Sequence, residues 1–259
     1  MTTKRALITG ASAGIGEEFA RQLARSGWST TLVARREDRL REVSLSLPGE
    51  GHAYLVADLA NAGDTALVSE YLAAERCHLL VNNAGYSVFE PFYTSSLAQQ
   101  QNMLAVNCGA ILTLAHQFLA QAESGDALIN LSSIVGFLPT PAQPVYSASK
   151  AFIAAFSECL WEEHRKRGVY VMGLCPGITA TDFITNASGG ESDGQTLPAS
   201  MTQTTEQVVA EALAALHARK KPIIVTGSIN RIMVALMPRL MSRFQLLKAL
   251  AVMGDPEKA

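Results

Sequence analysis

The sequence has little charge and few cysteines. Charged side chains make up 17% of its 259 residues, and the formal net charge is −2 at pH 7. Because there is no basic arm and no long run of like charge, a dedicated nucleic-acid binder is disfavoured. The four cysteines are dispersed without a CxxC pair, and the five histidines form no HExxH motif. These absences argue against a disulfide framework and against a metal site.

The chain also begins without the apolar core of a signal peptide, so we expect a cytoplasmic protein. It contains no run of about 18 uncharged apolar residues, and we therefore expect no membrane-spanning helix. Hydrophobic residues nevertheless make up 48% of the chain, which is typical of a compact globular protein with a large core.

Short apolar runs alternate with helical patterns along most of the chain. The predicted strands are residues 6–9, 29–33, 53–56, 79–81, 127–131, 169–174 and 222–226. This alternation predicts an α/β fold with a doubly wound, Rossmann-type parallel sheet of about seven strands. No linker or internal repeat interrupts the pattern, so we expect one domain over residues 1–259.

A glycine-rich loop, GASAGIG at residues 10–16, follows the first predicted strand directly and opens a helical pattern. Glycines let the backbone approach a pyrophosphate, and the start of a helix offers free N–H groups to it. The order of strand, loop and helix therefore predicts a dinucleotide site, although the spacing is GxxxGxG and not the general GxGxxG. The alternative is a tight turn that binds nothing.

The residues that follow the second predicted strand indicate which dinucleotide binds. An acidic residue there would accept a ribose 2′-hydroxyl, but here Ala34 is followed by Arg35 and Arg36. Because guanidinium groups match phosphate, we expect NADP(H), with Arg35 favoured over Arg36, unless both arginines are only solvated. Asp58 and Leu59 follow the third strand, where cofactor contacts are expected, and Asp58 could equally cap the next helix.

Tyr146 and Lys150 lie four residues apart in a long helical pattern over residues 145–167, so they share a helix face. An ammonium near a phenol lowers the phenol's pKa, which predicts an acid–base group near neutral pH. Taken alone, the pair could be an ordinary surface contact. Asn107 is a polar residue in an apolar helical pattern over residues 97–121, and such a residue usually bonds a local backbone group.

Two further segments are distinct in character. Residues 186–204 are polar and rich in glycine, which indicates a candidate substrate lid. Residues 229–253 carry apolar side chains at helical spacing, interrupted at Pro238, together with basic residues. We favour a core or subunit-interface helix for this amphipathic extension, and the alternative is a helix that lies on a membrane surface.

Taken together, these motifs resemble the short-chain dehydrogenase/reductase family over roughly residues 4–227. The resemblance rests on the glycine loop, on Asn82-Asn83-Ala84-Gly85, on Tyr146 with Lys150, and on Pro176-Gly177 followed by Thr181. It implies a catalytic tetrad of Asn107, Ser133, Tyr146 and Lys150. The family's spacing favours Ser133 over Ser132. The cofactor-binding residues that it implies are Gly10, Ser12, Gly14, Ile15, Gly16, Arg35, Arg36, Asp58, Leu59, Asn83, Ala84, Gly85, Tyr146, Lys150, Pro176, Gly177, Ile178 and Thr181.

The resemblance further implies an oxidoreductase that transfers a hydride between NADP(H) and a small-molecule carbonyl or secondary alcohol. Tyr146 would be the general acid–base, and Asn107 would support a water path to Lys150. Family members are commonly homodimers or homotetramers. Two alternatives stay open: a non-catalytic NADP(H)-binding regulatory protein on the same fold, and a membrane-associated reductase that reaches lipidic substrates through the C-terminal helix.

Overall fold

The computed structural model describes residues 3–141, 143–181, 183 and 202–253. The strands in these residues are β1 (Arg5–Thr9), β2 (Ser29–Ala34), β3 (Ala53–Val56), β4 (Leu79–Asn82), β5 (Ala127–Leu131), β6 (Tyr170–Cys175) and β7 (Ile223–Val225). The helices are α1 (Gly14–Arg25), α2 (Glu37–Ser46), α3 (Ala62–Ala74), α4 (Leu97–Leu104), α5 (Ile111–Gln121), α6 (Pro144–Arg165), α7 (Thr205–Ala218), α8 (Ser228–Leu240) and α9 (Arg243–Met253). A π-helical turn (Ala105–Ala110) joins α4 to α5, and a 3₁₀ turn (Ile134–Gly136) follows β5.

The strands form one parallel sheet in the order β3-β2-β1-β4-β5-β6-β7. This confirms the predicted doubly wound sheet. β1 pairs with β2 on one side and with β4 on the other. Strands β2 and β3 are therefore added on one side of β1, and strands β4 to β7 on the other. The carboxyl ends of β1 and β4 therefore border the crevice in which ligands of such sheets bind.

Both faces of the sheet are covered by helices, as parallel sheets require. Ile8 of β1 belongs to the apolar cluster that includes α1 and α7, whereas its neighbour Leu7 belongs to the cluster that includes α3 and α5. Side chains on a strand alternate between the two faces, so each strand contributes to both clusters. The continuous apolar runs in the sequence reflect this double burial.

The helix from Leu97 to Gln121 is long and apolar enough to cross a membrane, with a mean hydropathy of 1.5 in its most apolar stretch. This differs from the expectation of no membrane-spanning helix, because by length and composition this helix qualifies as a candidate. Half of the stretch is buried inside the protein, where α5 packs against α3 and β4. Its apolar character is therefore explained by the core, which the helix helps to form.

The C-terminal extension consists of two helices. The predicted interruption at Pro238 is wrong, because α8 continues through Pro238 to Leu240 and the chain turns at Met241. Because proline has no N–H, the helix forgoes the hydrogen bond to the carbonyl oxygen of Val234 and still continues for two residues. Ser242 then starts α9, with its hydroxyl accepting from Gln245 N at 3.3 Å. The predicted lid at 186–204 lies outside the described residues except for 202–204.

Candidate active site

The glycine loop packs tightly on the segment that follows β4. Gly10 has a φ of +66°, and a Cβ at this position would lie 2.9 Å from the Cα of Ala84. A Cβ on Gly16 would lie 2.5 Å from Nδ2 of Asn83 and still closer to the carbonyl oxygen of Gly10. Only glycine fits at these two positions, so the predicted loop and Asn83–Gly85 are brought together as one surface.

The Thr9 hydroxyl joins these two segments at the end of β1. It accepts from the backbone N–H groups of Asn83 at 3.0 Å and Ala84 at 2.9 Å. The Asn83 side chain returns a hydrogen bond from Nδ2 to the carbonyl oxygen of Thr9 at 2.9 Å. The sequence marks Thr9 as the residue that precedes the glycine loop, but the bonds of its hydroxyl to the segment after β4 depend on the tertiary fold.

The start of α1 can receive an anion. Ala13 precedes the helix and makes no side-chain capping bond, so the first N–H groups of α1 have no side-chain partner there. Gly14 has a φ of +59°, and its Cβ position would lie 3.2 Å from Cγ2 of Thr181. The structure thus places Gly14 and Thr181, predicted from distant parts of the chain, beside each other. This glycine cradle at a helix N-terminus fits a dinucleotide pyrophosphate.

The two arginines after β2 differ in their contacts. Arg36 donates from Nη2 to the Ser12 hydroxyl at 3.1 Å, which places its guanidinium against the glycine loop. Arg35 is exposed and has no hydrogen bond among the described residues. Arg36 therefore has the more direct connection to the predicted phosphate site, whereas the sequence favoured Arg35.

Asp58 does not cap α3. Its Oδ1 accepts from Ala60 N at 3.0 Å, while Asn61 is the residue whose side chain accepts from the first turn of α3, at 2.7 Å from Gly63 N. Because Asn61 already supplies the cap, the alternative reading of Asp58 as the cap is wrong. Leu59 is buried beside it.

Tyr146 and Lys150 lie on one face of α6, and both are almost fully buried. Lys150 Nζ donates to the carbonyl oxygen of Leu131 at 2.8 Å and lies 5.5 Å from the centroid of the Tyr146 ring. Ser132 Oγ donates to the carbonyl oxygen of Lys150 at 2.7 Å, so its hydroxyl is occupied in holding α6. Ser133 is therefore the serine left to act beside Tyr146.

The electrostatics of the pair differ from the prediction. Burial raises the pKa of the Tyr146 phenol, and a hydrogen bond with Ser133 only partly offsets this rise. The loss of solvent around the buried phenol therefore dominates its pKa. Burial also lowers the pKa of Lys150 to about 8. The site thus holds a protonated phenol next to a lysine that titrates close to neutral pH.

Asn107 lies in the π-helical turn and is fully buried. Its Oδ1 accepts from Tyr86 N at 3.1 Å, and its Nδ2 donates to Tyr86 O at 3.0 Å and to Ser149 Oγ at 3.3 Å. The backbone partner is 21 residues away, so the expectation of a local partner is wrong. A Cβ on Gly85 would lie 3.0 Å from Asn107 Oδ1 and 3.4 Å from Lys150 Nζ. Asn107, Gly85 and Lys150 therefore meet at one point.

The segment after β6 closes the site from a third direction. Ser133 Oγ donates to Pro176 O at 3.4 Å, and the backbone of Ile178 accepts from Gln203 N at 3.0 Å. A Cβ on Gly177 would lie 2.7 Å from Oδ1 of Asn230, which is a buried residue of α8. Asn230 thus supports the Pro176–Thr181 segment, a role that its place in an apolar stripe did not reveal.

Phe183 is a further neighbour of Tyr146. Its ring centroid lies 5.8 Å from that of Tyr146. An aromatic ring at this distance contributes an apolar wall beside the phenol. Phe183 opens the segment 183–200, one of those that the sequence suggests for substrate selection, but its contact with Tyr146 depends on the tertiary fold.

Comparison with known proteins supports the same identification. Residues 4–192 match the family model described as short chain dehydrogenase. Sulfoacetaldehyde reductase 2 of Chromohalobacter salexigens is 32% identical over 235 residues, which cover 88% of this chain and 92% of that protein. The human very-long-chain 3-oxoacyl-CoA reductase is 32% identical over 185 residues, which cover 68% of this chain and only 59% of its own length.

A solved structure extends the similarity to the whole fold. The short-chain dehydrogenase from Sphingobium yanoikuyae in complex with NADPH superimposes with a TM-score of 0.79 at 30% identity. The match covers 86% of this chain and 87% of that one. Similar folds have been solved with NADPH and with NAD.

Proposed function

This chain belongs to the short-chain dehydrogenase family, and on that premise we propose that it is an NADP(H)-dependent oxidoreductase for carbonyl compounds and secondary alcohols. One observation carries the proposal. Ser133 contacts Tyr146, and Lys150 lies near the Tyr146 ring and also borders Gly85, where the segment packed on the glycine loop ends. An acid–base group and a candidate cofactor surface therefore share one crevice.

The proposed cofactor contacts follow from the surface described above. The glycine loop would hold the pyrophosphate, and Asn83–Gly85 would lie along the cofactor. The contact between Arg36 and Ser12 supports a site for a 2′-phosphate, with Arg35 as a second cation nearby. Asp58 and Leu59 would border the adenine, and Pro176–Thr181 would border the nicotinamide.

When bound, the nicotinamide would supply or accept the hydride. Tyr146 would donate a proton to the substrate's carbonyl oxygen during reduction and remove it during oxidation. Besides its contact with Tyr146, Ser133 makes long hydrogen bonds of 3.4 Å to Pro176 and Val135, so its hydroxyl is available to bind the same oxygen. The raised pKa of Tyr146 keeps the phenol protonated, which is the form that carbonyl reduction requires.

Lys150 and Asn107 have different roles in this proposal. Lys150, with a pKa of about 8, would exchange protons near the operating pH and would contact the nicotinamide ribose. Asn107 would act as a positioning residue, because both atoms of its amide already bind Tyr86 and Ser149. The water path from Asn107 to Lys150 stays a prediction.

The relatives do not name one substrate for this chain. One relative is named for sulfoacetaldehyde and another for very-long-chain 3-oxoacyl-CoA, and both compounds contain a carbonyl group. We therefore propose the class of small-molecule carbonyl compounds and no single member. We also propose a homodimer or homotetramer, supported by apolar side chains left exposed on the central helices at Leu104, Leu112 and Phe152.

The first experiment is a fluorescence titration with NADPH and NADH on the wild type, Arg36→Ala and Arg35→Ala. Loss of a charge-assisted contact costs about 1.5–3 kcal/mol, so Arg36→Ala should weaken NADPH binding about 10- to 100-fold and leave NADH binding unchanged. Arg35→Ala removes the same charge one residue away and should have the smaller effect. A wild-type protein that prefers NADH would contradict the proposed specificity.

Catalysis is tested separately with a panel of aldehydes, ketones and 3-oxoacyl thioesters while NADPH oxidation is followed. Tyr146→Phe should reduce kcat about 10²- to 10⁴-fold and leave NADPH affinity nearly unchanged. This result would also exclude a non-catalytic NADP(H)-binding protein. Equal turnover by the wild type and by Tyr146→Phe would remove Tyr146 from the mechanism.

A further inference from the structure

We propose that α8 and α9 form a surface that binds anionic lipid bilayers peripherally. The apolar side chains of this surface are Ile229, Ile232, Leu236, Leu240, Phe244 and Leu247. We call it the C-terminal surface. The inference does not depend on the proposed enzymatic function.

These apolar side chains are exposed although their helices are seated on the protein. Leu246 and Leu250 of α9 are buried against Leu138, and together they form a small core of their own. The outer side chains are left in solvent, with exposures of 57% at Ile232, 77% at Leu240 and 66% at Phe244. The packing inside therefore anchors the two helices and leaves the apolar residues outside free to insert.

The spacing places the exposed residues of α8 in one stripe. Ile229, Ile232, Leu236 and Leu240 follow one another at intervals of three and four residues, which is the period of one helix face. A stripe of large apolar side chains on a helix exposed to water is typical of helices that lie in the headgroup region of a membrane.

The charge of this segment selects the kind of bilayer. Residues 228–253 contain Arg231, Arg239, Arg243 and Lys248 and no acidic residue, whereas the whole chain carries a net charge of −2. Arg231 pairs with Glu211 at 2.7 Å. The other three have no acidic partner within 4 Å among the described residues, which leaves them available to lipid phosphates and carboxylates. Acidic residues appear again only in the final stretch, at Asp255 and Glu257.

The cations lie close to the apolar side chains. Lys248 Nζ is 4.7 Å from the centroid of the exposed Phe244 ring. Long basic side chains keep their charge at the headgroups while their stems and neighbours contact the acyl region. This combination of exposed aliphatic, aromatic and basic groups fits an anionic bilayer surface.

A second copy of the chain fits this surface less well. In a twofold symmetric dimer the same patch meets itself, so the unpaired cations of one copy would approach those of the other. Juxtaposed like charges disfavour such a contact, and the segment offers no acidic residue to compensate. An anionic membrane supplies the missing negative charge.

The test is flotation of the full-length protein with vesicles made of equal parts phosphatidylcholine and phosphatidylserine, beside vesicles of phosphatidylcholine alone. We expect binding to the anionic vesicles only, decreasing as salt rises and screens the attraction. The triple variant Arg239→Gln, Arg243→Gln, Lys248→Gln should bind on the order of 100-fold more weakly, since each basic residue near such a surface contributes about 1 kcal/mol.

A matched variant carries the same change of charge outside α8 and α9: Arg25→Gln, Arg41→Gln, Lys166→Gln, all at exposed positions. It should retain binding. Equal loss in the two triple variants would show unspecific attraction, and no binding of the wild type at low salt would remove the lipid surface; either result overturns the proposal.

The apolar residues are tested with Ile232→Ser, Leu240→Ser, Phe244→Ser, which leaves the buried Leu246 and Leu250 in place. We expect this variant to lose vesicle binding with an unchanged oligomeric state, measured by light scattering. If it changes the oligomeric state and still binds vesicles, the surface is a contact between copies of the chain and the proposal is wrong.

Discussion

Thr9→Val tests whether one hydroxyl holds the candidate cofactor surface together. The hydroxyl is buried and accepts hydrogen bonds from the backbone N–H groups of Asn83 and Ala84. Valine has nearly the same shape, so the substitution removes the acceptor and leaves the core packing intact. The N–H group of Ala84 would then lose its partner, whereas that of Asn83 would keep its second acceptor, the carbonyl oxygen of Val81 at 3.0 Å.

The magnitude follows from these two donors. An unsatisfied buried donor costs about 1–3 kcal/mol. Asn83 N–H keeps its bond to Val81, so the cost comes mainly from Ala84, which is half-buried, and from the weakened bond at the buried Asn83. We therefore expect a loss of about 1–3 kcal/mol in the free energy of unfolding, which is a substantial part of the about 5–15 kcal/mol that stabilises a typical domain.

The assay is urea denaturation without cofactor, followed by NADPH titration at low denaturant. Thr9→Val should lower the midpoint with an unchanged m-value, and it should also weaken NADPH binding. Thr9→Ser keeps the hydroxyl and should recover most of both properties. Thr31→Val is the matched control, because Thr31 lies in the neighbouring strand, is similarly buried and shares one hydrogen bond with Tyr71, at 3.0 Å.

Two results would refute this reasoning. A Thr9→Val protein within about 0.5 kcal/mol of the wild type would show that the two N–H groups do not need the hydroxyl. A Thr9→Ser protein as unstable as Thr9→Val would show that the methyl group, and not the oxygen, matters at this position.

Two other predictions concern packing and charge. Gly16→Ala should destabilise the protein by about 1–3 kcal/mol and weaken NADPH binding, because the new methyl group would displace Gly10 or Asn83. Gly109→Ala, whose Cβ would meet nothing closer than 4.0 Å, should be neutral or slightly stabilising in the same denaturation assay; similar losses in both variants would contradict the packing argument. Burial lowers the pKa of Lys150 to about 8, from the usual lysine value of 10.5. Between these two pH values the folded state binds fewer protons than the unfolded state, so the free energy of unfolding rises with pH. The destabilisation caused by burying Lys150 is therefore largest below about pH 8 and smallest above about pH 10.5. Lys150→Met should therefore be more stable than the wild type at pH 7, with the difference in unfolding free energy shrinking as pH rises through that window; a difference independent of pH would show that Lys150 is not desolvated as described.

Local chemistry makes much of this protein predictable from its sequence. Strands buried on both faces must be continuously apolar, so the apolar runs predicted all seven strands to within one or two residues. The glycine loop was recognisable because only glycine tolerates such close backbone approach. Tyr146 and Lys150 were recognisable because four residues on a helix return to the same face.

The tertiary structure decided what these residues touch. Arg36, not Arg35, contacts Ser12, because this depends on how β2 is placed beside the glycine loop. Asn107 finds its backbone partner at Tyr86, which no local rule could indicate. Burial raises the pKa of Tyr146, although the spacing to Lys150 alone predicted the opposite.

The C-terminal helices show the same division. Their apolar period was visible in the sequence, but a period does not state which of its residues will be covered. The contact of Leu246 and Leu250 with Leu138 decides that, and it leaves Phe244 and Leu240 outside. Sequence thus determined where elements form, since that depends on residues close along the chain. Only the fold determined burial, partners and protonation, since these depend on groups that are far apart in sequence and meet in space.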